Sequence, residues 1–105
     1  MNVCFNYLYR DAGNYKNWGE VIFTNKTDIE LNLLELQIRD ILIDGEFFIA
    51  EKVDLKKLKF PEYIEELDHD WHEYYSVENT EEASNDRNKR DIVDFIEYLK
   101  CATKI

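Results

Sequence analysis

The segment from Glu66 to Asp86, ELDHDWHEYYSVENTEEASND, contains eight carboxylates and two histidines but no lysine or arginine. Its potential metal ligands cluster near its start: Asp68, His69, Asp70, His72 and Glu73. Imidazole nitrogens and carboxylate oxygens are ligands that zinc, manganese and nickel accept. One hypothesis is therefore a site for a divalent transition metal, with a metal-dependent enzyme activity as its function.

The geometry of this cluster depends on the local backbone. In an extended chain Asp70 and His72 share one side, and His69 and Glu73 share the other. In a helical turn, His69 lies on the same face as His72 or Glu73. The sequence contains no third histidine, so any further ligands would have to be carboxylates. The spacing is less specific than that of metal-binding motifs such as HExxH.

The histidines could also act in acid–base catalysis, because a neighbouring carboxylate raises the pKa of a histidine and orients its ring. Four side chains offer a nucleophile: Cys4, Ser76, Ser84 and Cys101. Their spacing connects none of them with a histidine. The sequence also has no GxSxG, phosphate-loop or dinucleotide-binding motif. An enzyme is therefore the less favoured interpretation, and no catalytic residue is predicted.

The net charge of −10 is concentrated in one quarter of the chain. Residues 61–86 hold 10 of the 23 acidic residues and no basic one, and the other 13 acidic residues balance the 13 basic ones. Nucleic acids and anionic membranes are negatively charged, so this distribution disfavours both as direct partners. It favours a basic protein or a cation, or it serves only to keep the surface soluble.

Aromatic residues alternate with these acids, which is typical of protein-interaction surfaces. The predicted binding residues are Asp68, Asp70, Trp71, Glu73, Tyr75, Glu78, Glu81 and Glu82. Carboxylates and ring faces together accept arginine side chains. The favoured function is therefore a non-enzymatic module that binds a basic protein and needs no cofactor. Tyr15 and Trp18 form a second candidate surface, and pairing of an exposed sheet edge would give a homodimer.

Period-two patterns predict the strands that position these residues. A first strand covers residues 3–10, and a second covers residues 20–25 after a loop that contains Gly13 and Gly19. EFFIAEKV, residues 46–53, is predicted as a third strand, and WHEYYSVE, residues 71–78, as a fourth. In the fourth strand one face is predicted to carry His72, Tyr74 and Ser76, and the other Glu73, Tyr75 and Val77.

Apolar residues at helical spacing predict two helices. The first presents Leu34, Ile38, Ile41 and Leu42, and its predicted N-cap is Asn32, with Thr27 as the alternative. The second presents Ile92, Phe95, Ile96 and Leu99, and its predicted N-cap is Asp86 or Asn88. Residues 54–67 are ambiguous, with a short helix interrupted at Pro61 as one interpretation.

The resulting order, ββαββα, predicts a single α+β domain over residues 1–105. Its architecture is a small two-layer sandwich, with an antiparallel sheet of about four strands covered by two main helices. The sequence has no apolar run of the ~18 residues that a membrane helix needs and no signal-peptide pattern. Cys4 and Cys101 lack metal-type spacing and are predicted to be reduced thiols, so a cytoplasmic protein is expected.

Three stretches in this order resemble a family of small uncharacterised bacterial proteins: YLYRDAGNYKNWGEVIF, LIDGEFFIAE and ELDHDWHEYYSVE. The resemblance covers residues 6–78 and leaves the second helix outside it. It implies a small bacterial domain. It implies no activity, cofactor, partner or functional residue.

Overall fold

The computed structural model describes residues 1–60 and 71–103. The strands are β1 (Asn2–Arg10), β2 (Lys16–Phe23), β3 (Phe47–Phe48) and β4 (His72–Thr80). The helices are α1 (Leu31–Ile41) and α2 (Ile92–Thr103), with a 3-10 turn at Ala50–Val53. No helix in these two ranges is long and apolar enough to cross a membrane.

The four strands form one sheet in the order β2-β1-β4-β3, and every neighbouring pair is antiparallel. Both helices contribute to the hydrophobic core on one face of this sheet. The predicted α+β class and the order ββαββα are therefore confirmed. The central strand β1 pairs with β2 on one side and with β4 on the other, so its side chains lie in the middle of both faces.

The side chains of β1 alternate between the two faces of the sheet, and one of these faces is buried against the helices. Val3, Phe5, Tyr7 and Tyr9 are buried in the core with the helices. The intervening residues must point to the opposite face, because successive side chains of a strand alternate. The predicted strand at this position is confirmed, and its aromatic side faces the core.

Helix α1 has the predicted apolar stripe, since Leu34, Ile38 and Leu42 are buried. Its predicted caps are wrong, because the N-cap is Glu30, which makes no side-chain capping bond. The helix begins at Leu31 rather than after Asn32, and the partly buried Leu31 packs against the core.

Helix α2 is confirmed, with Ile92, Phe95, Ile96 and Leu99 buried, but its predicted caps are also wrong. Its start is capped by Asp91, whose carboxylate accepts the Val93 N–H at 3.2 Å. Asp94 accepts the Asp91 N–H at 3.1 Å, which makes the capping reciprocal. Asp86 instead forms a buried ion pair with Arg90.

The third predicted strand is wrong in length. Only Phe47 and Phe48 pair with β4, opposite Glu73 and His72. From Ala50 the chain turns into the 3-10 segment, which buries Ala50 and Val53 in the core. Residues 55–60 of the ambiguous stretch are not helical, and residues 61–67 lie outside the described part of the chain.

A β-bulge in β4 overturns the predicted alternation of this strand. Asn6 of β1 lies opposite Ser76, but the next residue, Tyr7, lies opposite Tyr74. Tyr75 is therefore the extra residue of the bulge. As a result Val77 is buried in the same core as Tyr74, whereas strict alternation placed it with Glu73 and Tyr75.

Candidate protein-interaction face

The face of the sheet opposite α1 and α2 is here called the open face, because no described helix packs on it. Its members come from all four strands: Cys4, Asn6, Leu8, Arg10, Lys16, Trp18, Glu20, Ile22, Phe47, Glu73, Tyr75, Ser76 and Glu78. Three of them, Cys4, Leu8 and Ile22, are buried although they do not belong to the core cluster. Their burial shows that this face is not fully open to solvent at these three positions.

Trp18 and Tyr75 form an exposed aromatic pair on this face. Their rings meet edge to face with centroids 4.9 Å apart, although Trp18 lies on β2 and Tyr75 on β4. The intervening strand β1 separates their backbones by about two strand spacings, roughly 10 Å, so both rings must lean over β1. Leu8, opposite Trp18 in the sheet, is only 3% exposed. Trp18 and Tyr75 remain 51% and 58% exposed, a large aromatic surface for one face of a sheet.

A groove of about 320 Å³ lies beside this pair and is lined by Asn6, Trp18, Gly19, Glu20, Tyr75 and Glu78. The Asn6 amide at its base donates to Glu78 Oε1 and to Ser76 Oγ, both at 3.1 Å. These bonds hold the Glu78 carboxylate over the groove. Glu20 is opposite Asn6 in the sheet and is exposed. The groove thus has aromatic walls and two carboxylates, and none of the described residues that line it is a lysine or an arginine.

Cys4 lies at the acidic end of the open face, where its thiol donates to Glu20 Oε2 at 3.3 Å. Burial raises the pKa of this thiol to about 12, with further contributions from the Glu20 hydrogen bond and the charges of Glu20, Glu78 and Glu82. These three carboxylates therefore act on one point of the face, although Glu82 follows the end of β4. The second cysteine, Cys101, is exposed, and both are free thiols.

The two thiols are predicted to differ in reactivity. At about pH 8, iodoacetamide should label Cys101 and leave Cys4 unmodified, because the attacking species is the thiolate and access to Cys4 is blocked. Peptide mass spectrometry before and after denaturation measures both sites, and Cys4 should be labelled only in the unfolded chain. Labelling of folded Cys4 at the rate of Cys101 would contradict the buried, acid-flanked position.

The other end of the open face is ion-paired and less acidic. Glu73 accepts from Arg10 Nε at 2.9 Å, so its charge is balanced within the protein. Trp71 packs against Phe47 with ring centroids 5.3 Å apart and is 39% exposed. Of the predicted binding residues, Glu73 and Trp71 therefore lie here, away from the Trp18–Tyr75 groove.

The remaining predicted binding residues fall into three positions. Tyr75 and Glu78 line the groove. Glu81 and Glu82 are exposed just after β4, where the Glu82 carbonyl accepts from the Asn2 amide at 2.9 Å. Asp68 and Asp70 lie outside the described residues.

His72, a predicted metal ligand, is buried on the helix-covered face and is 1% exposed. Its Nε2 accepts the Leu58 N–H at 3.0 Å, so this nitrogen's lone pair already has a donor. Glu73 points to the open face, so the two side chains diverge. Residues 1–60 and 71–103 contain no group of three or more potential metal ligands, and His69, Asp68 and Asp70 lie outside these ranges.

Four residues of the groove were not among the predicted binding residues: Asn6, Trp18, Gly19 and Glu20. Trp18 belonged to a separate candidate surface with Tyr15, which is 72% exposed and lies in the β1–β2 loop. The sequence contains a signal for Glu20 and Asn6, since both occupy polar positions of alternating strands. The missing information is register, which sets Asn6 opposite Glu20 on one side and Ser76 on the other.

Comparisons of the chain with protein-family models, curated proteins and solved structures found no significant match. The fold and this face define a small α+β domain with an antiparallel sheet, one face of which carries exposed aromatic and acidic side chains.

Proposed function

We propose that this protein is a non-enzymatic interaction module that binds a basic protein partner in the cytoplasm through the open face. The observation that carries the proposal is the groove beside Trp18 and Tyr75, with the carboxylates of Glu20 and Glu78 at its edge. Aromatic anchors that are already held by a neighbour lose little conformational freedom on binding, which favours affinity.

Electrostatics favour a partner of positive charge. Glu20, Glu78 and Glu82 all act on Cys4, and Arg10 at the opposite end is paired with Glu73. The net charge of −10 adds a long-range attraction for basic surfaces. An arginine of the partner can place its guanidinium against a ring while it bonds a carboxylate.

The test is affinity capture from a lysate of the source organism, with the parent protein and two double variants as bait. We expect the parent to retain a basic protein at low ionic strength and to release it as salt rises, because exposed charges are screened beyond about 10 Å at 0.1 M salt. Glu78→Lys/Glu82→Lys reverses two charges on the proposed face and should retain none of it. The matched control, Glu51→Lys/Glu97→Lys, reverses two exposed charges elsewhere and should behave as the parent.

A charge-neutral variant separates a specific site from general attraction. Trp18→Ala should weaken binding of the captured protein by roughly 2 kcal/mol or more if the tryptophan is an anchor. Isothermal titration with the purified partner measures this loss. Retention of the same proteins by the parent and by Glu78→Lys/Glu82→Lys, or no protein retained by the parent, would reject the proposal.

A further inference from the structure

Among the described residues, strand β2 lies at one edge of the sheet and pairs with β1 alone. Near its end, the Ile22 N–H donates to Asn85 Oδ1 at 2.8 Å and the Ile22 carbonyl accepts the Asn85 N–H at 3.0 Å. Both groups therefore point away from β1. Since this direction repeats every second residue, Trp18 and Glu20 also direct their N–H and C=O groups to the edge.

The start of β2 agrees that the even-numbered residues direct their backbone groups to the edge. The Asp11 N–H donates to the Tyr15 carbonyl at 3.0 Å, so the backbone groups of Tyr15 point toward β1. The backbone groups of the next residue, Lys16, therefore point away from β1. Within the described ranges, no hydrogen bond to another segment takes up the outward backbone groups of Lys16, Trp18 or Glu20. The strand from Lys16 to Glu20 thus presents an unpaired edge without a proline or a bulge, which is a template for pairing with another strand.

The sequence of this edge is complementary to itself. If two copies pair antiparallel with Trp18 opposite Trp18, Lys16 of each copy lies opposite Glu20 of the other. The side chains of Lys16, Trp18 and Glu20 all lie on the open face, so each lysine meets a glutamate directly across the strand pair. Centring the pair on Lys16 or on Glu20 would place like charges opposite each other. The register at Trp18 is the one that pairs both lysines with glutamates.

We propose that two copies of this chain associate through β2 in this register and form a continuous eight-stranded antiparallel sheet. The two-fold axis passes through the Trp18 pair perpendicular to the sheet, so both open faces lie on the same side. Asn85 at Ile22 and the turn at residues 11–15 limit the pairing to residues 16–20. The interface is short, and the dimer should therefore dissociate on dilution. This association does not depend on the existence of a basic partner.

Sedimentation velocity at protein concentrations from micromolar to millimolar tests the proposal. Variants that reverse the charge of Lys16 or Glu20 test the register. The parent should dimerise at the upper concentrations. Lys16→Glu and Glu20→Lys should each be monomeric there, because each single change places like charges opposite one another. An equimolar mixture of the two variants should form a heterodimer, and the double variant Lys16→Glu/Glu20→Lys should dimerise again. Restored association also shows that the single variants are folded.

The matched control is Glu97→Lys and Lys100→Glu on α2, an exposed pair far from β2 in the chain, where both changes should leave dimerisation unchanged. A parent that stays monomeric at all concentrations would overturn the proposal, as would single β2 variants that dimerise like the parent or a mixture that fails to associate. Lys16→Glu also separates this proposal from partner binding, because it makes the open face more acidic while it breaks the dimer.

Discussion

Replacement of Asp86 by asparagine is expected to lower the free energy of unfolding by about 3–5 kcal/mol, because it leaves a buried guanidinium without its counter-charge. Arg90 donates to Asp86 from Nε and Nη2, both at 2.9 Å. The side chains of Arg90 and Asp86 are only 4% and 1% exposed. Asparagine keeps the shape of the side chain but removes the charge, so the loss reports the electrostatic contribution.

The position of this pair explains why the effect is large. Arg90 Nη1 also donates to the Val53 carbonyl at 2.7 Å, and its guanidinium lies 4.6 Å from the ring centre of Tyr98. The pair therefore connects the 3-10 segment with the start of α2. Urea titration followed by circular dichroism measures the change. Removal of both charges in Asp86→Ala/Arg90→Met should recover part of the loss, because no charge is then buried alone.

Glu97→Gln is the matched control on the same helix. Glu97 and Lys100 are 3.1 Å apart, but their side chains are 61% and 50% exposed. An exposed pair contributes less than about 1 kcal/mol, so this variant should unfold close to the parent. If Asp86→Asn were no more destabilising than Glu97→Gln, the buried ion pair would not stabilise the fold.

The same pair gives stability a defined pH dependence. Burial alone would raise the pKa of Asp86, but the hydrogen bonds and charge of Arg90 outweigh this effect and hold the pKa below its usual 3.8. The folded carboxyl therefore releases its proton more readily than the unfolded one. Its contribution is full above that usual value and is lost as the pH falls through the folded pKa. Between about pH 6 and pH 3 the parent should thus lose more stability than Asp86→Asn.

Replacement of Phe5 by alanine is the second change for which a large loss is expected, about 3–5 kcal/mol of unfolding free energy. Phe5 is fully buried on the central strand. Five aromatic rings surround it with centroids 5.0 to 6.5 Å away: Tyr7, Phe23, Phe48, Tyr74 and Phe95. These rings come from all four strands and from α2, so the cavity would open where the sheet and helix layers meet.

The size dependence of this loss is the informative measurement. Phe5→Leu leaves a smaller cavity and should cost clearly less than Phe5→Ala in the same urea titration. Tyr15→Ala removes another aromatic ring, but that ring is 72% exposed, and the cost should stay within about 0.5 kcal/mol. Equal losses for Phe5→Ala and Phe5→Leu would mean that the core does not pack tightly around this ring.

The amino-acid sequence by itself determined the elements whose patterns are long and regular. Burial of apolar side chains determines the alternation through β1. It also determines the apolar stripes of the helices, at Leu34 and Ile38 in α1 and at Phe95 and Leu99 in α2. The α+β class and the element order follow from them. The helix caps and the length of β3 were predicted wrongly. Helix α1 begins at Leu31, and Asp86, a predicted cap of α2, instead binds Arg90. Arg90 also donates to the Val53 carbonyl, a contact that is distant in sequence and that local spacing does not contain.

The candidate site depends on tertiary structure for a different reason. Trp18 and Tyr75 are 57 residues apart in the chain and come together only because β2 and β4 both pair with β1. The bulge at Tyr75 adds one residue to an alternating strand and so brings Ser76 and Glu78 onto the open face, and a period-two pattern contains no sign of it. Likewise, His72 and Glu73 are neighbours in sequence, but the pleat sends one into the core and the other to Arg10. The sequence alone determined that the protein would have an acidic, aromatic segment; strand register decided which of its side chains share a surface.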